Sequence, residues 1–349
     1  MKIPSESVGS VPRPAYLLQA MQAGTPAATY ETAVDKALAE TIAAMQATGS
    51  SIITDGEQSK PSFATYPLSG LQNLADDGVI IPFADGHTRQ LPCLTGGPFR
   101  YGVYSGLYVA KARKFTKLPL KQAVISPSAM FLLYPQAGID GYSQQQFIED
   151  LIAECVKDIR SAFDAGAAVV QIDFTEGRLA CKLDPSKGLL RTFVELNNKV
   201  LSQFTQAEIA NIGVHTCPGG DHNSTHSADV DYAELLPDLF QMQAGRFYLQ
   251  MASETDKPRV LDIIQRQRQS HQTCFVGVID PCDTQIESPE TVRDRTLEIA
   301  EHLQGERFGT TDDCGFSPFG DDTITARATA FAKIKARVDG TRLAAGKIS

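Results

Sequence analysis

The sequence contains no tryptophan, so any flat ligand that relies on an indole platform must find another partner in this chain. It contains no apolar run approaching the ~20 residues that cross a bilayer, which excludes a transmembrane helix. The opening MKIPSESVGS has no apolar stretch behind basic residues and does not read as a secretory signal, so the cytoplasm is the default compartment. Blocks of Lys and Arg are missing, and 32 basic against 41 acidic residues leave a net charge of −9. That balance argues against nucleic acid and anionic membranes as partners. Glycine-rich phosphate loops of the G-x-G-x-x-G or P-loop form are absent, which weighs against an open nucleotide-binding sheet. Low-complexity segments and internal repeats are absent too. Cysteine is sparse: Cys93, Cys155, Cys181, Cys217, Cys274, Cys282 and Cys314 are scattered along 349 residues. An odd and scattered set argues against a disulfide framework and favours buried apolar fillers, with metal ligands or nucleophiles as the other roles.

What is present is ordinary globular material. Hydrophobic residues make up 42% and charged residues 21%, which excludes a disordered tail, a collagen and a coiled coil. At ~150 residues per domain the length suggests two domains, but an α/β barrel uses this much chain as one. Short apolar runs expected as strands fall at 5–9, 51–55, 122–126, 169–174, 209–215, 246–251, 274–280 and 308–312. Helical periodicity lies between most of them. The clearest case places Phe147, Leu151, Ile152, Cys155, Val156, Ile159 and Phe163 on one face. Ser143 and Gln146 read as its capping box and Gly166 as its end. Ser288-Pro289 reads as a cap followed by a first-turn proline. Eight strands apolar on both faces, alternating with helices, indicate an α/β fold, a (β/α)8 TIM barrel forming one domain over 1–349. The stretch of about 60–120 is too long for a βα connection. It reads as an excursion after the second strand, containing a helix and a β-hairpin.

In a barrel, functional side chains sit at the C-terminal ends of strands. Here several expected strands end in reactive groups: Asp55 and Glu57, then Asp173, Glu176 and Arg178, then His215 and Cys217, then Asp280 and Cys282, then Asp312, Asp313 and Cys314. Two residues apart on an extended strand, His215 and Cys217 face the same way. An imidazole and a thiolate so placed can hold one zinc ion, with Cys314 as the natural third ligand. The bland alternative is a buried histidine and two inert thiols. The polar loop 219–229 contains His222 and His226, which compete for a metal only if the loop is helical. Gly219-Gly220 and Asn223-Ser224-Thr225 argue against that, and a loop closing over the barrel mouth or touching substrate fits better. Glu57 and Asp173 either hold a substrate ammonium group or form structural ion pairs with Arg178, Lys60 or Arg13. Asp312 and Asp313 either cap a turn or orient a ligand.

Taken in order, these motifs resemble the cobalamin-independent methionine synthase superfamily, specifically its C-terminal catalytic barrel. Val8-Gly9-Ser10-Val11-Pro12-Arg13 is similar to the family's first-strand motif. Asp55-Gly56-Glu57 is similar to its second-strand motif, and Gln171-Ile172-Asp173 to its Q-I-D strand. His215-x-Cys217 and Asp313-Cys314-Gly315 are similar to its zinc motifs. The likeness runs over nearly the whole chain, while the N-terminal half of the long enzyme has no counterpart. It implies a zinc-dependent alkyl (methyl) transferase acting on a small thiol such as homocysteine, with an alkyl donor as second small-molecule partner. His215, Cys217 and Cys314 would bind zinc, Glu57 and Asp173 the substrate amino group, and Ser10 would lie near its carboxylate. A homo-oligomer is compatible with this reading.

The chain also departs from the family. Its third zinc ligand, a glutamate ending strand six, is replaced by Gln250, which leaves Gln250, Glu254 or water as the fourth ligand. A strand-seven Asp-x-His becomes Asp280-Pro281-Cys282, which keeps Asp280 as a catalytic candidate and removes the histidine. The stacking tryptophan cannot exist, and Leu133 or Tyr134 falls near its place. Rival readings are a zinc-dependent thiol–epoxide transferase or C–S lyase of the same superfamily, a uroporphyrinogen-decarboxylase-like barrel without metal, and a non-catalytic zinc- or thiol-binding protein.

Overall fold

Six segments whose positions are nearly all buried form one parallel sheet in the computed structural model of the chain, which describes residues 2–22, 24–303 and 307–348. In sheet order they are Lys121–Ile125, Val169–Asp173, Ile212–Thr216, Arg246–Leu249, Thr273–Ile279 and Phe308–Asp312. Sequence order equals sheet order, as expected when each crossover carries a helix back over the same face. The two open edges take up the first two segments. Ser5 bridges Thr310 and Ile53 bridges Leu120, both in parallel. These two segments meet through Thr54 Oγ1, which donates to the Gly9 carbonyl over 2.7 Å, and through Val11 N, which donates to the Gly56 carbonyl over 3.1 Å. Eight extended segments therefore complete a ring in TIM-barrel order. The first two are too irregular for a regular ladder because a side-chain hydroxyl makes one of their joining bonds.

Local signals explain the element ends. Ser143 and Gln146 form a reciprocal capping box on the helix Gln144–Asp164, and Gly166 follows with φ +97°. Ser288 caps Pro289–His302 by accepting from Thr291 N. One expected boundary is corrected: the fifth strand begins at Ile212, not at 209. Thr205 and Glu208 form a second capping box that winds Gln206–Ile209 into a short helix. Within the excursion, Leu74–Ala75 pairs antiparallel with Cys93–Leu94, and Ile80–Pro82 pairs with Thr88–Gln90 as a hairpin. The helix Gly106–Arg113 ends it, tied to the barrel by Ser105 N donating to Asp158 Oδ1 over 2.6 Å.

The lower barrel interior is polar. Lys121 Nζ donates to Gln171 Oε1 over 2.7 Å and lies 3.7 Å from the Tyr248 ring centroid. Tyr248 in turn donates to Glu6 Oε2 over 2.6 Å. Burial pushes the Lys121 ammonium down to about 7. Among the described residues no helix is long and apolar enough to cross a membrane.

Candidate metal and substrate site

Strand register brings the reactive groups to one end of the barrel. Asp173 is aligned with His215, which is aligned with Tyr248. Cys217 follows the fifth strand, and Cys314 follows the eighth by two residues. One ligand atom from each of His215, Cys217 and Cys314 lies within 4.8 Å of the others. The two sulfurs are 3.4 Å apart, and Gly219 N donates to Cys217 Sγ over 3.4 Å. Two ~2.3 Å zinc–sulfur bonds at a tetrahedral angle would separate the sulfurs by ~3.8 Å, so little adjustment is needed. Neither ring nitrogen of His215 meets a nitrogen or oxygen partner, although the side chain is buried, and the Cys314 thiol is its polar neighbour. Such an imidazole beside two thiols is costly without a ligand, and the set fits a thiophilic divalent cation. The hydrogen bond with Cys217, with burial, raises the Cys314 thiol well above its ordinary range; a bound cation would reverse that balance. Close approach of the eighth segment to the first depends on Gly315, where a Cβ would lie 2.2 Å from Ser10 Oγ.

His215 and Cys314 open onto a cavity of about 670 Å³, also lined by Ser10, Glu57, Asp173 and Glu176. Glu57 reaches it from a strained turn. Gly56 has φ +67°, and a Cβ there would meet Val11 Cγ2 at 2.6 Å. Glu57 itself has φ +56°, held by its amide donating to Asp55 Oδ1 over 2.9 Å. A non-glycine residue in the left-handed region costs about 1–3 kcal/mol and persists only where its surroundings hold it. Lys60 Nζ lies 3.3 Å from Glu57 Oε1, and Glu57 Oε2 has no partner. Lys60 is thus the member of the expected ion-pair set that meets Glu57; Arg13 donates to the backbone carbonyls of Glu57 and Lys60. Asp173 Oδ1 accepts from Gln171 Nε2 over 2.7 Å. Burial pushes Asp173 up to about 6, against the pull of His215.

Glu176, one of the reactive groups following the fourth strand, is bound through one oxygen. Its Oε1 accepts from Ser126 Oγ over 2.5 Å and from Ser128 Oγ, and Asn197 Nδ2 donates to Ser128 Oγ over 2.7 Å. Oε2 has no partner. Burial holds this carboxyl at about 7. Its partners come from a different strand end, so only the fold reveals them.

Gln250 and Asp280 face elsewhere. They line a second cavity of about 200 Å³ on the other side of Cys314, shared with Arg178, Glu254 and Cys282. Arg178 Nη1 donates to Gln250 Oε1 over 2.9 Å, and Gln250 Nε2 donates to Ser253 Oγ over 2.7 Å. Glu254 lies 3.5 Å from Arg178 Nη2. Asp280 Oδ1 accepts from Cys282 N over 2.9 Å, and burial raises both the Asp280 carboxyl and the Cys282 thiol. Asp313 braces the loop after strand six by accepting from Met251 N, Ala252 N and Ser253 N, each over 2.8 Å. Asp312 pairs with Arg337 of the last helix.

The loop 219–229 is a hairpin, not a helix. Gly220–Asp221 pairs with Ser224–Thr225, and His222 and Asn223 occupy its turn with φ +49° and +58°, as a type I′ turn requires. His222 joins His87 and Asp221 in a second group of ligand-capable atoms. Arg89, from the excursion hairpin, already takes Asp221 through Nε over 2.5 Å and also holds Asp321 over 2.9 Å. This ion-pair latch ties the two hairpins together beside the cavity. His226 lines the cavity, and burial lowers its imidazole to about 4. Of the two residues expected near a stacking position, Leu133 is buried in the core. Tyr134 packs against Phe147 at 5.3 Å and donates to the Tyr142 carbonyl. Ala129 and Leu132 line the cavity, while Leu133 and Tyr134 do not.

Comparison with known proteins agrees with this architecture. The family described as the cobalamin-independent synthase catalytic domain matches residues 3–336. A methionine synthase of Sulfolobus acidocaldarius is 20% identical over 97% of this chain and 91% of that protein. One from Thermococcus kodakarensis is 19% identical over 98% and 93%. The solved B12-independent methionine synthase of Shewanella sp. W3-18-1, in complex with selenomethionine, superposes with a TM-score of 0.79 at 19% identity, covering 100% of this chain and 99% of that one. The putative B12-independent methionine synthase of Listeria monocytogenes gives 0.74 at 18% identity, covering 98% of each. With the match extending over nearly all of its length, the chain belongs to the cobalamin-independent synthase catalytic-domain family.

Proposed function

We propose that the protein is a zinc-dependent methyltransferase that alkylates the sulfur of homocysteine or a closely similar amino-acid thiol. The observation that carries this reading is the cluster of His215, Cys217 and Cys314, two of which, His215 and Cys314, line a cavity that Glu57 and Asp173 also line. Methionine synthases among the relatives, and selenomethionine bound by the Shewanella protein, support the same reading. His215, Cys217 and Cys314 would hold the metal. A bound zinc supplies the charge that keeps an incoming thiol as thiolate near neutral pH, well below a free thiol's ~8.5. Glu57 and Asp173 then take the substrate ammonium group, replacing water with two fixed carboxylates. Their placement orients the sulfur toward the donor carbon, and the apolar walls of Phe63, Phe83 and Leu132 exclude water from the displacement. Two thiolates and two metal charges leave a neutral site if His215 and any fourth ligand are neutral. Such a site binds an incoming thiolate firmly and suits a reactive donor.

Incubating zinc-loaded protein with homocysteine and a panel of methyl donors, and following methionine, tests this reading. Turnover is expected with zinc and is expected to vanish on chelation. Undiminished turnover in metal-free protein would contradict it.

A further inference from the structure

The acidic groups lining the main cavity have different partners. Glu57 meets Lys60, Asp173 meets the Gln171 amide, and Asp321 meets Arg89. The side chains that hold Glu176 are hydroxyls, with its own backbone amide as a further contact. Ser126 and Ser128 both donate to Oε1, and Asn197 fixes Ser128 from behind. Among the described residues no lysine or arginine pairs with Glu176. The two hydroxyls saturate one oxygen and leave the other, Oε2, buried and bare in a residue that lines the cavity. An unmet oxygen on a carboxyl so placed is expensive unless it carries a proton offered to a ligand.

We infer that Glu176 is the acid that protonates the leaving atom of the alkyl donor, with Ser126, Ser128 and Asn197 as its positioning residues. The inference rests on the alkyl-transfer reading above. Burial, reinforced by the neighbouring charge of Asp173, keeps the carboxyl protonated up to about 7, against the two serine hydroxyls. In the transfer, the thiolate sulfur gives an electron pair to the donor carbon. The bond from that carbon to its nitrogen or oxygen breaks, and the pair goes to the heteroatom. The proton on Glu176 Oε2 passes to the heteroatom, and the proton lost by the incoming thiol restores the carboxyl through solvent. The sum is thiol plus C–X giving thioether plus H–X. Asp280, the catalytic candidate from sequence, faces the second cavity and does not serve this step.

The test compares donors that need a proton with one that does not. The zinc-loaded wild type and Glu176→Gln are assayed for enzyme-dependent S-alkylation of homocysteine. The donors are methyltetrahydrofolate and 1,2-epoxypropane, whose leaving nitrogen and oxygen require a proton, and methyl iodide, whose iodide does not. Glutamine keeps the size and still accepts from both serines, so the fold is retained. Glu176→Gln is expected to slow the wild type's proton-requiring donor by ~100-fold or more while changing methyl iodide less than about threefold. An equal loss with both kinds of donor, no loss with either, or a wild type that uses methyl iodide alone would each overturn the inference. A wild type inactive with every donor, methyl iodide included, would instead refute the alkyl-transfer reading, and the inference would fall with it.

Discussion

Arg178 Nη1 donates to Gln250 Oε1 over 2.9 Å, and both side chains are buried. This bond gives the residue at the expected place of a third family ligand another occupation. A glutamine oxygen that accepts from a guanidinium is a poor candidate for a metal as well, because the guanidinium charge would face the cation at close range. Glu254 is held by the same guanidinium. Gln250→Ala and Glu254→Ala should each retain about one zinc per chain by elemental analysis, with affinity lowered less than about tenfold. Loss of the metal from either variant would make that residue a ligand.

Glu57 and Asp173 should behave as a pair toward an ammonium group. Glu57→Gln and Asp173→Asn are each expected to weaken binding of homocysteine by ~10-fold or more, the cost of a charge-assisted hydrogen bond. Binding of the thiol that lacks the amine should change little. Calorimetric titration with the two thiols separates the cases. Equal losses for both would assign the carboxylates a structural task, such as holding Lys60.

Polyglutamyl methyltetrahydrofolate should be a poor donor. A pterin gains ~1–3 kcal/mol from an aromatic platform, and of the aromatics lining the cavity Phe83 is already stacked on His87 at 4.3 Å and Phe319 already carries Arg89 at 4.2 Å from its ring centroid. A polyglutamate tail needs free cations. Among the described residues lining the cavity, Arg89 is the only lysine or arginine, and Asp221 and Asp321 already hold it. Within the excursion, Arg100 meets Asp150, Lys111 meets Glu31, Lys114 meets Asp35, Arg113 meets two backbone carbonyls, and the exposed Lys117 does not line the cavity. Methionine formation from the triglutamate should stay below ~1 per second. Turnover at or above that rate would contradict the expectation.

Stability should carry the signature of Glu176. Its folded value of about 7 lies above the ordinary 4.5, so the native state retains a proton that the unfolded chain has released. Stability from this group is therefore fully present below about pH 4.5 and is lost as pH rises through about 7, by up to ~3 kcal/mol. Glu176→Gln removes that loss. Urea unfolding of the two proteins at several pH values should show the variant gaining on the wild type as pH rises from 4.5 to 8. A difference that does not vary with pH would contradict it.

Much of the barrel was legible because each strand is an apolar run with a reactive residue at its end, and His215, Cys217 and Cys314 stood out for that reason. Other features escaped for physical reasons. The strand start at 209 was masked by apolar Ile209, whose backbone is taken by the Thr205–Glu208 box. The bonds from Ser126 and Ser128 to Glu176, and from Arg178 to Gln250, join ends of different strands. Nothing in local periodicity encodes such pairs. The Arg89–Asp221 latch joins two loops 132 residues apart in sequence, and each loop alone reads only as polar. Leu132 lines the cavity while Tyr134 packs on Phe147, a difference set by the turn that follows the helix Pro127–Phe131 and not by proximity in sequence.

Zinc content per chain, measured on the purified wild type and on Cys217→Ser alongside their activities, tests the central claim most directly. The account expects about one zinc and thiol alkylation in the wild type, and loss of both in the variant, since one ligand of a three-residue site is removed. A wild type that is free of metal yet fully active would contradict it.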